Sequence, residues 1–206
     1  MPELPYPMKA KSTTIIILAA GGSKRLGQPK QLLTYKGESL LRRALSCATH
    51  LEDAETFVVT GANKETTGSE LSGFDVEIVG NERWEEGLAT SIAAGLLAVL
   101  KKADDTRGCL FMVCDQPHLT TALLQQIIDL SQHSGKGIVA AIYHDTPGTP
   151  VFFHRKYFPQ LLALRGDEGA RKLLKKYPED LITVPFAEGA IDIDTPDDYK
   201  KLTNAD

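Results

Sequence analysis

The sequence predicts an α/β fold: one Rossmann-like domain in which a mainly parallel sheet is flanked by helices. Strand-like apolar segments alternate with amphipathic segments from one end of the chain to the other, which is the pattern of such folds. Several strand candidates are continuously apolar, as expected for parallel strands that are covered on both faces. The 206 residues, 42% of them hydrophobic, are enough for one domain with a sizeable core.

The chain up to residue 114 contains four strand candidates and two helix candidates. Residues 37–50 predict a helix that Ser39 caps. Residues 87–102 predict a second helix, with Lys101 and Lys102 at the end where the helix dipole favours cations. Four segments rich in β-branched and apolar residues predict strands: residues 13–20, 55–60, 75–80 and 109–114.

The second half continues the alternation and ends on a helix. Thr120 or Thr121 is expected to cap a helix that reaches residue 133. The last helix is expected over residues 195–202, with Thr195 as its cap and Asp198 completing a capping box. The elements between these helices are predicted strands at residues 137–143 and 149–153, a short helix at 166–178, and extended segments at 181–186 and 189–194.

Composition excludes several classes of function. The net charge of −4 gives no bulk attraction to nucleic acid or to a membrane surface, so neither is an expected partner. No run of 18 apolar residues is present, so no transmembrane helix is predicted. Three cysteines without a CxxC pair fit a reducing compartment, and a cytoplasmic location is expected. Residues 1–12 lack signal-peptide features and are expected to form a flexible tail ahead of a domain at 13–206.

A glycine- and cation-rich stretch follows the first predicted strand. Gly21 and Gly22 allow close backbone approach to a ligand, and exposed N–H groups there can cradle phosphate oxygens. Arg25 and Lys30 supply positive charge for such a ligand. Neither the Walker A pattern nor the G-x-G-x-x-G fingerprint is present. The alternative is an ordinary surface loop with solvated charges.

Candidate metal-binding carboxylates occur at two other places in the sequence. Asp115 comes directly after the strand at 109–114, where ligands of parallel sheets bind, and carboxylates suit Mg²⁺. The alternative is a turn residue before Gln116 and Pro117 that helps to start the next helix. Asp192 and Asp194 alternate along a predicted extended segment and therefore share one face. Either of them is a candidate second ligand of the same ion.

The stretch LAAGGSKRLGQPK resembles the signature L-A-A-G-x-x-x-R-[ML]-G-x-x-K of nucleotidyltransferases. Its continuation QPKQLL and the segment CDQPHLT are most similar to the molybdenum cofactor cytidylyltransferase family, relatives of the molybdenum cofactor guanylyltransferases. The resemblance extends from about Thr13 to Leu202 and includes the DIDTPDDY segment near the end. It implies a fold of the nucleotide-diphospho-sugar transferase type.

The resemblance also implies roles for particular residues. Arg25, Lys30 and Asp115 are the expected catalytic residues, and Asp115 with Asp194, favoured over Asp192, is expected to bind Mg²⁺. Trp84 is expected either to stack on a ligand or to pack in the protein. Gly166, Asp167 and Gly169 are expected to face the acceptor. The expected nucleotide-binding residues are Ala19, Ala20, Gly21, Gly22, Ser23, Arg25, Lys30, Thr90 and Ser91.

The implied reaction transfers CMP from CTP to the terminal phosphate of the molybdenum cofactor, a molybdopterin, and releases pyrophosphate. A molybdoenzyme that accepts the product is the implied protein partner. Two alternatives remain open at this point: a transferase of the same fold that acts on a sugar or polyol phosphate, and a non-catalytic protein that binds a nucleotide or cofactor. Asp115 argues against the second alternative, because binding alone does not need a metal carboxylate.

Overall fold

A computed structural model describes residues 13–51, 53–102 and 105–204. The predicted tail at residues 1–12 lies outside this part of the chain. The helices and strands are β1 (Thr14–Ala19), β2 (Thr34–Tyr35), β3 (Glu38–Ser39), α1 (Leu40–Thr49), β4 (Glu55–Thr60), α2 (Lys64–Thr67), β5 (Glu77–Gly80), α3 (Leu88–Lys102), β6 (Gly108–Val113), α4 (Thr121–His133), β7 (Ile138–Tyr143), β8 (Thr146–His154), α5 (Phe158–Leu162), α6 (Arg171–Lys176), β9 (Leu181–Pro185) and α7 (Pro196–Asn204).

A seven-stranded sheet in the order β5-β4-β1-β6-β8-β7-β9 forms the centre of the fold. All neighbouring strands are parallel except β8, which is antiparallel to both β6 and β7. Strands β2 and β3 form a separate two-stranded hairpin. The mainly parallel α/β fold expected from the sequence is therefore confirmed.

Two apolar layers cover the faces of the sheet. Side chains alternate along β1, so Ile15 and Ile17 pack into one layer while Ile16 and Leu18 pack into the other. Helices α1 and α4 cover the first face, and α3 with α5 and α6 cover the second. Every residue of β1 is buried as a result, which explains why its sequence is apolar throughout.

The predicted helix caps are present. The Ser39 hydroxyl accepts a hydrogen bond from the Arg42 N–H at 3.1 Å. Of the two alternatives for α4, Thr120 is the cap, and its hydroxyl accepts from the Leu123 N–H at 3.2 Å. Before α7, the Asp198 carboxylate accepts from the Thr195 N–H at 2.9 Å, and the Thr195 hydroxyl accepts from the Asp198 N–H at 3.2 Å. This reciprocal pair is the expected capping box.

Other boundaries differ from expectation. The helix expected over residues 166–178 is found only at Arg171–Lys176. Gly166, its expected first residue, takes a left-handed conformation with φ of +57° and lies outside the helix. The segment expected to be extended at 189–194 begins inside a 3-10 turn, Ala187–Ala190, in which the Gly189 N–H donates to the Phe186 carbonyl. The β2–β3 hairpin was not expected, because strands of two residues leave no periodic pattern in a sequence.

In the described part of the chain, no helix combines the length and the apolar character needed to cross a membrane.

Candidate active site

The candidate site lies where β1 and β6 end. These strands are parallel neighbours with Leu18 opposite Val113, so the segments that follow them leave the sheet side by side. One of these segments is the glycine-rich stretch, called here the phosphate loop (residues 20–30), and the other carries Asp115. The carboxyl ends of parallel strands are the usual ligand-binding edge of an open α/β sheet.

The phosphate loop is held by a turn centred on Ser23. This residue has a φ of +51°, which is uncommon for a residue with a side chain. Its carbonyl accepts from the N–H groups of Leu26 and Gly27, and its hydroxyl accepts from the Lys30 N–H at 3.0 Å. The Ser23 turn thus fixes the backbone from which the Arg25 and Lys30 side chains extend.

Two cations and two carboxylates meet beside this loop. The Lys30 ammonium forms an ion pair with Asp115 and a second one, at 3.2 Å, with Asp194. Arg25 forms an ion pair with the other oxygen of the same Asp194 carboxylate. Lys30 and Asp115 are 20% and 14% exposed, whereas Arg25 is 71% exposed. Residues from the beginning, middle and end of the chain therefore form one charged cluster.

The cluster changes the ionisation of Lys30 and of the neighbouring residue Asp192. Burial alone would lower the pKa of Lys30, but the adjacent Asp115 and Asp194 carboxylates outweigh burial and raise it. Lys30 is therefore charged throughout the neutral range. Partial burial, followed by the negative charges of Asp194 and Asp115, raises the pKa of Asp192. Asp192 is thus within electrostatic reach of both carboxylates, although it forms neither of the ion pairs of Lys30.

The two carboxylates fit a divalent cation. Asp115 and Asp194 converge on one positive charge, the Lys30 ammonium, and two carboxylates completed by substrate phosphates are a common way to bind Mg²⁺. Among the described residues, no group of three or more His, Cys, Asp or Glu side chains is placed to hold a metal ion. A metal at this position would therefore take the rest of its coordination from water or from the substrate.

A cleft of about 660 Å³ opens next to the cluster, on the side of Trp84. Of the nine expected nucleotide-binding residues, seven line it: Ala19, Ala20, Gly21, Gly22, Arg25, Lys30 and Ser91. A smaller cavity of about 220 Å³ lies on the side of Asp194, and Ser23 lines that one. Thr90 lines neither of the two cavities. Most of the residues named from the sequence are therefore brought to one place.

Trp84 forms one wall of the cleft. Its ring lies so close to Gly22 that a Cβ atom there would be 2.9 Å from the ring, and a Cβ on Gly61 would be equally close to the Trp84 side chain. The Lys24 ammonium lies 5.8 Å from the ring centroid, a cation–π distance. Trp84 therefore packs against the phosphate loop and also faces the cleft, and stacking of its ring on a ligand stays a prediction.

Asn81 joins the turn that precedes Trp84 to the start of α3, and it was not identified from the sequence. It is buried, and its amide donates to the hydroxyls of Thr90 and Ser91, each at 3.0 Å. The Thr90 hydroxyl also contacts the carbonyls of Arg83 and Gly87, so it is engaged within the protein. Asn81 follows directly after β5, at the carboxyl edge of the sheet, and that position is the only signal in the sequence that could have indicated it.

The loop before α3 is in backbone contact with the loop before α6. Gly87 has a φ of +106°, and a Cβ atom there would overlap Gly166 and lie 2.7 Å from the Asp167 nitrogen. The Ala89 N–H donates to the Gly166 carbonyl at 3.0 Å. This contact holds Asp167 at the rim of the cleft, which it lines. Gly169 does not line the cleft and instead approaches the Leu88 side chain.

We expect Gly87→Ala to lower the free energy of unfolding by roughly 1–3 kcal/mol, because its φ and ψ of 106° and 176° suit only glycine. The thermal midpoint measures the effect. Gly68→Ala is the matched control: Gly68 has an ordinary helical φ of −58° and no atom within 4 Å of the added methyl group, so its midpoint should be unchanged or slightly higher. Equal midpoints for both variants would contradict the Gly87–Gly166 contact.

Comparison with known proteins gives a consistent result. The family of MobA-like NTP transferase domains matches residues 15–181. The purine catabolism protein PucB of Bacillus subtilis is 30% identical over 92% of this chain and 95% of its own. The nicotine blue oxidoreductase of Paenarthrobacter nicotinovorans has the same identity and coverage. The molybdenum cofactor cytidylyltransferase of Escherichia coli is 26% identical over 89% of this chain and 92% of its own.

Solved structures agree with this result. Rv0371c of Mycobacterium tuberculosis superposes with a TM-score of 0.79 at 31% identity, covering 94% of this chain and 98% of its own. A manganese complex of Rv0371c superposes with a TM-score of 0.76 at 28% identity, covering 95% of this chain and 100% of its own.

The fold and the family match over residues 15–181 identify the chain as a nucleotidyltransferase of the MobA-like type. The match extends over most of the chain. This protein belongs to the family of MobA-like NTP transferase domains.

Proposed function

We propose that the protein transfers CMP from CTP to the terminal phosphate of the molybdenum cofactor and releases pyrophosphate. One observation carries the proposal: the Lys30 ammonium contacts both Asp115 and Asp194 at the edge of a cleft that the phosphate loop lines. The likeness to the molybdenum cofactor cytidylyltransferase of Escherichia coli supports the molybdenum cofactor as the acceptor. The segments QPKQLL and CDQPHLT, in which the resemblance to cytidylyltransferases is carried, flank this same cluster.

The proposed step needs no protein nucleophile. An oxygen of the acceptor phosphate forms a bond to the α-phosphorus of CTP, while the bond from that phosphorus to the oxygen bridging the β-phosphate breaks. The electron pair of the broken bond leaves with pyrophosphate. Catalysis then consists of alignment and charge stabilisation. Lys30 and Arg25 stabilise the negative charge that develops on the leaving group, and the backbone of Gly21 and Gly22 binds phosphate oxygens.

Asp115 and Asp194 are the proposed ligands of Mg²⁺, which when bound supplies further positive charge to the phosphate oxygens. Asp194 is preferred to Asp192 because it shares the Lys30 ammonium with Asp115. The manganese complex of a relative supports a divalent ion. In this proposal the nucleotidyltransferase domain extends over residues 13–206, the protein acts in the cytoplasm, and a molybdoenzyme receives the product.

The proposal predicts a preference for CTP over GTP. Calorimetry in the presence of Mg²⁺ should give a dissociation constant for CTP at least about tenfold lower than that for GTP, which corresponds to about 1.4 kcal/mol of binding free energy. Incubation with CTP, Mg²⁺ and the molybdenum cofactor should yield the cytosine dinucleotide, identified by its mass. Equal or tighter GTP binding would contradict the choice of nucleotide. A CDP-sugar or CDP-polyol formed from competing acceptors, without the cofactor dinucleotide, would replace the proposed acceptor.

A further inference from the structure

Gln31 is a buried polar residue next to the phosphate loop with no role in the reaction described above. It follows Lys30 in the 3-10 turn Lys30–Leu32 and is 1% exposed. Its side-chain nitrogen donates two hydrogen bonds to backbone carbonyls, to Ala19 at 2.8 Å and to Gly21 at 2.9 Å. These two carbonyls lie on either side of Ala20, at the point where β1 becomes the phosphate loop.

These bonds fix the directions of the loop's peptide groups. In a trans peptide the carbonyl and the following N–H point in opposite directions. Because Gln31 holds the carbonyls of Ala19 and Gly21, the N–H groups of Ala20 and Gly22 point away from it. The Ala20 carbonyl is held separately by the Ala62 N–H, at 3.2 Å. The orientations of three successive peptides are therefore set by the protein before any ligand binds.

Burying the Gln31 amide would destabilise the fold if this side chain served only to fill space. Its side-chain oxygen is buried and has no hydrogen-bond partner among the described residues. A buried polar atom without a partner destabilises a protein, and an apolar residue of the same size avoids that cost. Packing alone therefore does not account for an amide at this position, whereas two carbonyls that need donors do.

We propose that Gln31 is a positioning residue that presets the phosphate loop, so that its backbone N–H groups are aligned for the phosphates of the nucleotide. The inference rests on the proposed function only in taking the loop as the phosphate site. The 3-10 turn Lys30–Leu32 then contributes in two ways. Lys30 supplies positive charge to the cleft, and Gln31 aligns the backbone of the phosphate loop. Prealigned donors bind more strongly because no reorganisation is needed when the ligand arrives.

Gln116, the residue after Asp115, offers a matched control whose side-chain hydrogen bonds lie outside the phosphate loop. It is also buried, its side-chain nitrogen also donates to two carbonyls, those of Thr149 and Gly189 at 3.1 Å each, and its side-chain oxygen also has no partner among the described residues. Neither of those carbonyls belongs to the phosphate loop. Replacing Gln116 removes the same chemistry without touching the loop.

The test uses inorganic tripolyphosphate in the presence of Mg²⁺, which offsets the charge of the Asp115 and Asp194 carboxylates beside the loop. This probe tests the loop independently of the base. Calorimetry should show that Gln31→Met weakens binding about 10- to 100-fold, the loss expected when one or two hydrogen bonds to a charged group are misaligned. Gln116→Met should lower the thermal midpoint about as much as Gln31→Met does, but it should leave tripolyphosphate binding unchanged. If Gln31→Met does not fold, Gln31→Glu provides the measurement, because a protonated carboxyl can donate one of the two bonds. Its affinity relative to wild type at the same pH should improve from pH 8 to pH 6.

Three results would overturn the inference. Equal binding by wild type and Gln31→Met, or no pH dependence in the ratio for Gln31→Glu, removes the role of Gln31 and leaves the proposed function intact. Equal weakening by Gln116→Met shows general loosening of the fold instead of a specific effect on the loop. Failure of the wild type to bind tripolyphosphate removes the phosphate site itself. The choice of acceptor is tested separately by product mass, so the two proposals can fail independently.

Discussion

Asp115→Asn is expected to reduce turnover about 100- to 1,000-fold while leaving the fold in place. The substitution keeps the size of the side chain and removes the charge that would help to hold the metal and that now faces Lys30. Lys30 keeps its ion pair with Asp194 in the variant. Because its ammonium still has an anionic partner, the loss of stability should be small. The measurements are kcat at saturating CTP and Mg²⁺, and the thermal midpoint of the same preparation.

Asp129→Asn is a suitable control for this variant. Asp129 is exposed on α4 and accepts a hydrogen bond from the Gln125 amide, so its replacement should change neither kcat nor the thermal midpoint appreciably. A thermal midpoint of Asp115→Asn that collapses together with its activity would indicate that Asp115 has a structural task. Full activity of Asp115→Asn would remove it from the catalytic site.

Lys30→Ala and Arg25→Ala are each expected to lower kcat about 100- to 1,000-fold, since each removes a preorganised positive charge from the leaving group. Lys30→Ala should have the larger effect, because Lys30 is mostly buried and contacts both carboxylates, while Arg25 is mostly exposed and contacts one. Arg25→Lys should restore little, because an ammonium cannot form the forked contacts of a guanidinium.

The pKa of Lys30 determines how the stability contributed by its ion pairs depends on pH. A folded-state pKa above the unfolded value means that the ion pairs stabilise the protein fully below the unfolded pKa of 10.5 and lose this effect as the pH rises beyond it. The stability difference between wild type and Lys30→Ala should therefore be constant near neutral pH. Mg²⁺ should raise the thermal midpoint of Lys30→Ala, because the cation can pair with the two carboxylates left behind.

Lys64→Ala is the control for both variants. Lys64 is an exposed lysine paired with Glu82 and lies outside the residues that line either cavity. Its loss should leave kcat unchanged and alter stability by less than about 1 kcal/mol. Near wild-type turnover of both Lys30→Ala and Arg25→Ala would mean that these cations are not part of the catalytic machinery.

Much of the fold could be predicted because local patterns agree with the final structure. Apolar runs marked most of the central strands, and the caps at Ser39, Thr120 and Thr195 marked three helix starts. The orientation of β8 could not be predicted, since an apolar run is compatible with either direction and its partners β6 and β7 decide it. The late start of α6 could likewise not be predicted, and Gly166, in a left-handed conformation and in contact with Gly87, lies outside the helix.

The sequence by itself determined the kind of site. The glycine-rich stretch after β1 carries the cations, and Asp115 follows a later apolar strand. The expectation of a phosphate-binding edge with a carboxylate therefore came from order and residue type alone. Their roles in catalysis stay predictions. A motif of this length is informative because backbone freedom, charge and spacing must all be right together.

Only the tertiary structure decided how these parts meet. Lys30 contacts Asp115 and Asp194, which lie 85 and 164 residues further along the chain. Asp194 forms this ion pair with Lys30, whereas the nearby Asp192 does not. Gln31 and Asn81 are polar residues that a sequence places on the surface, yet both are buried because backbone carbonyls or neighbouring hydroxyls accept their hydrogen bonds. Such partnerships depend on where distant segments are packed, and local propensity carries no information about them.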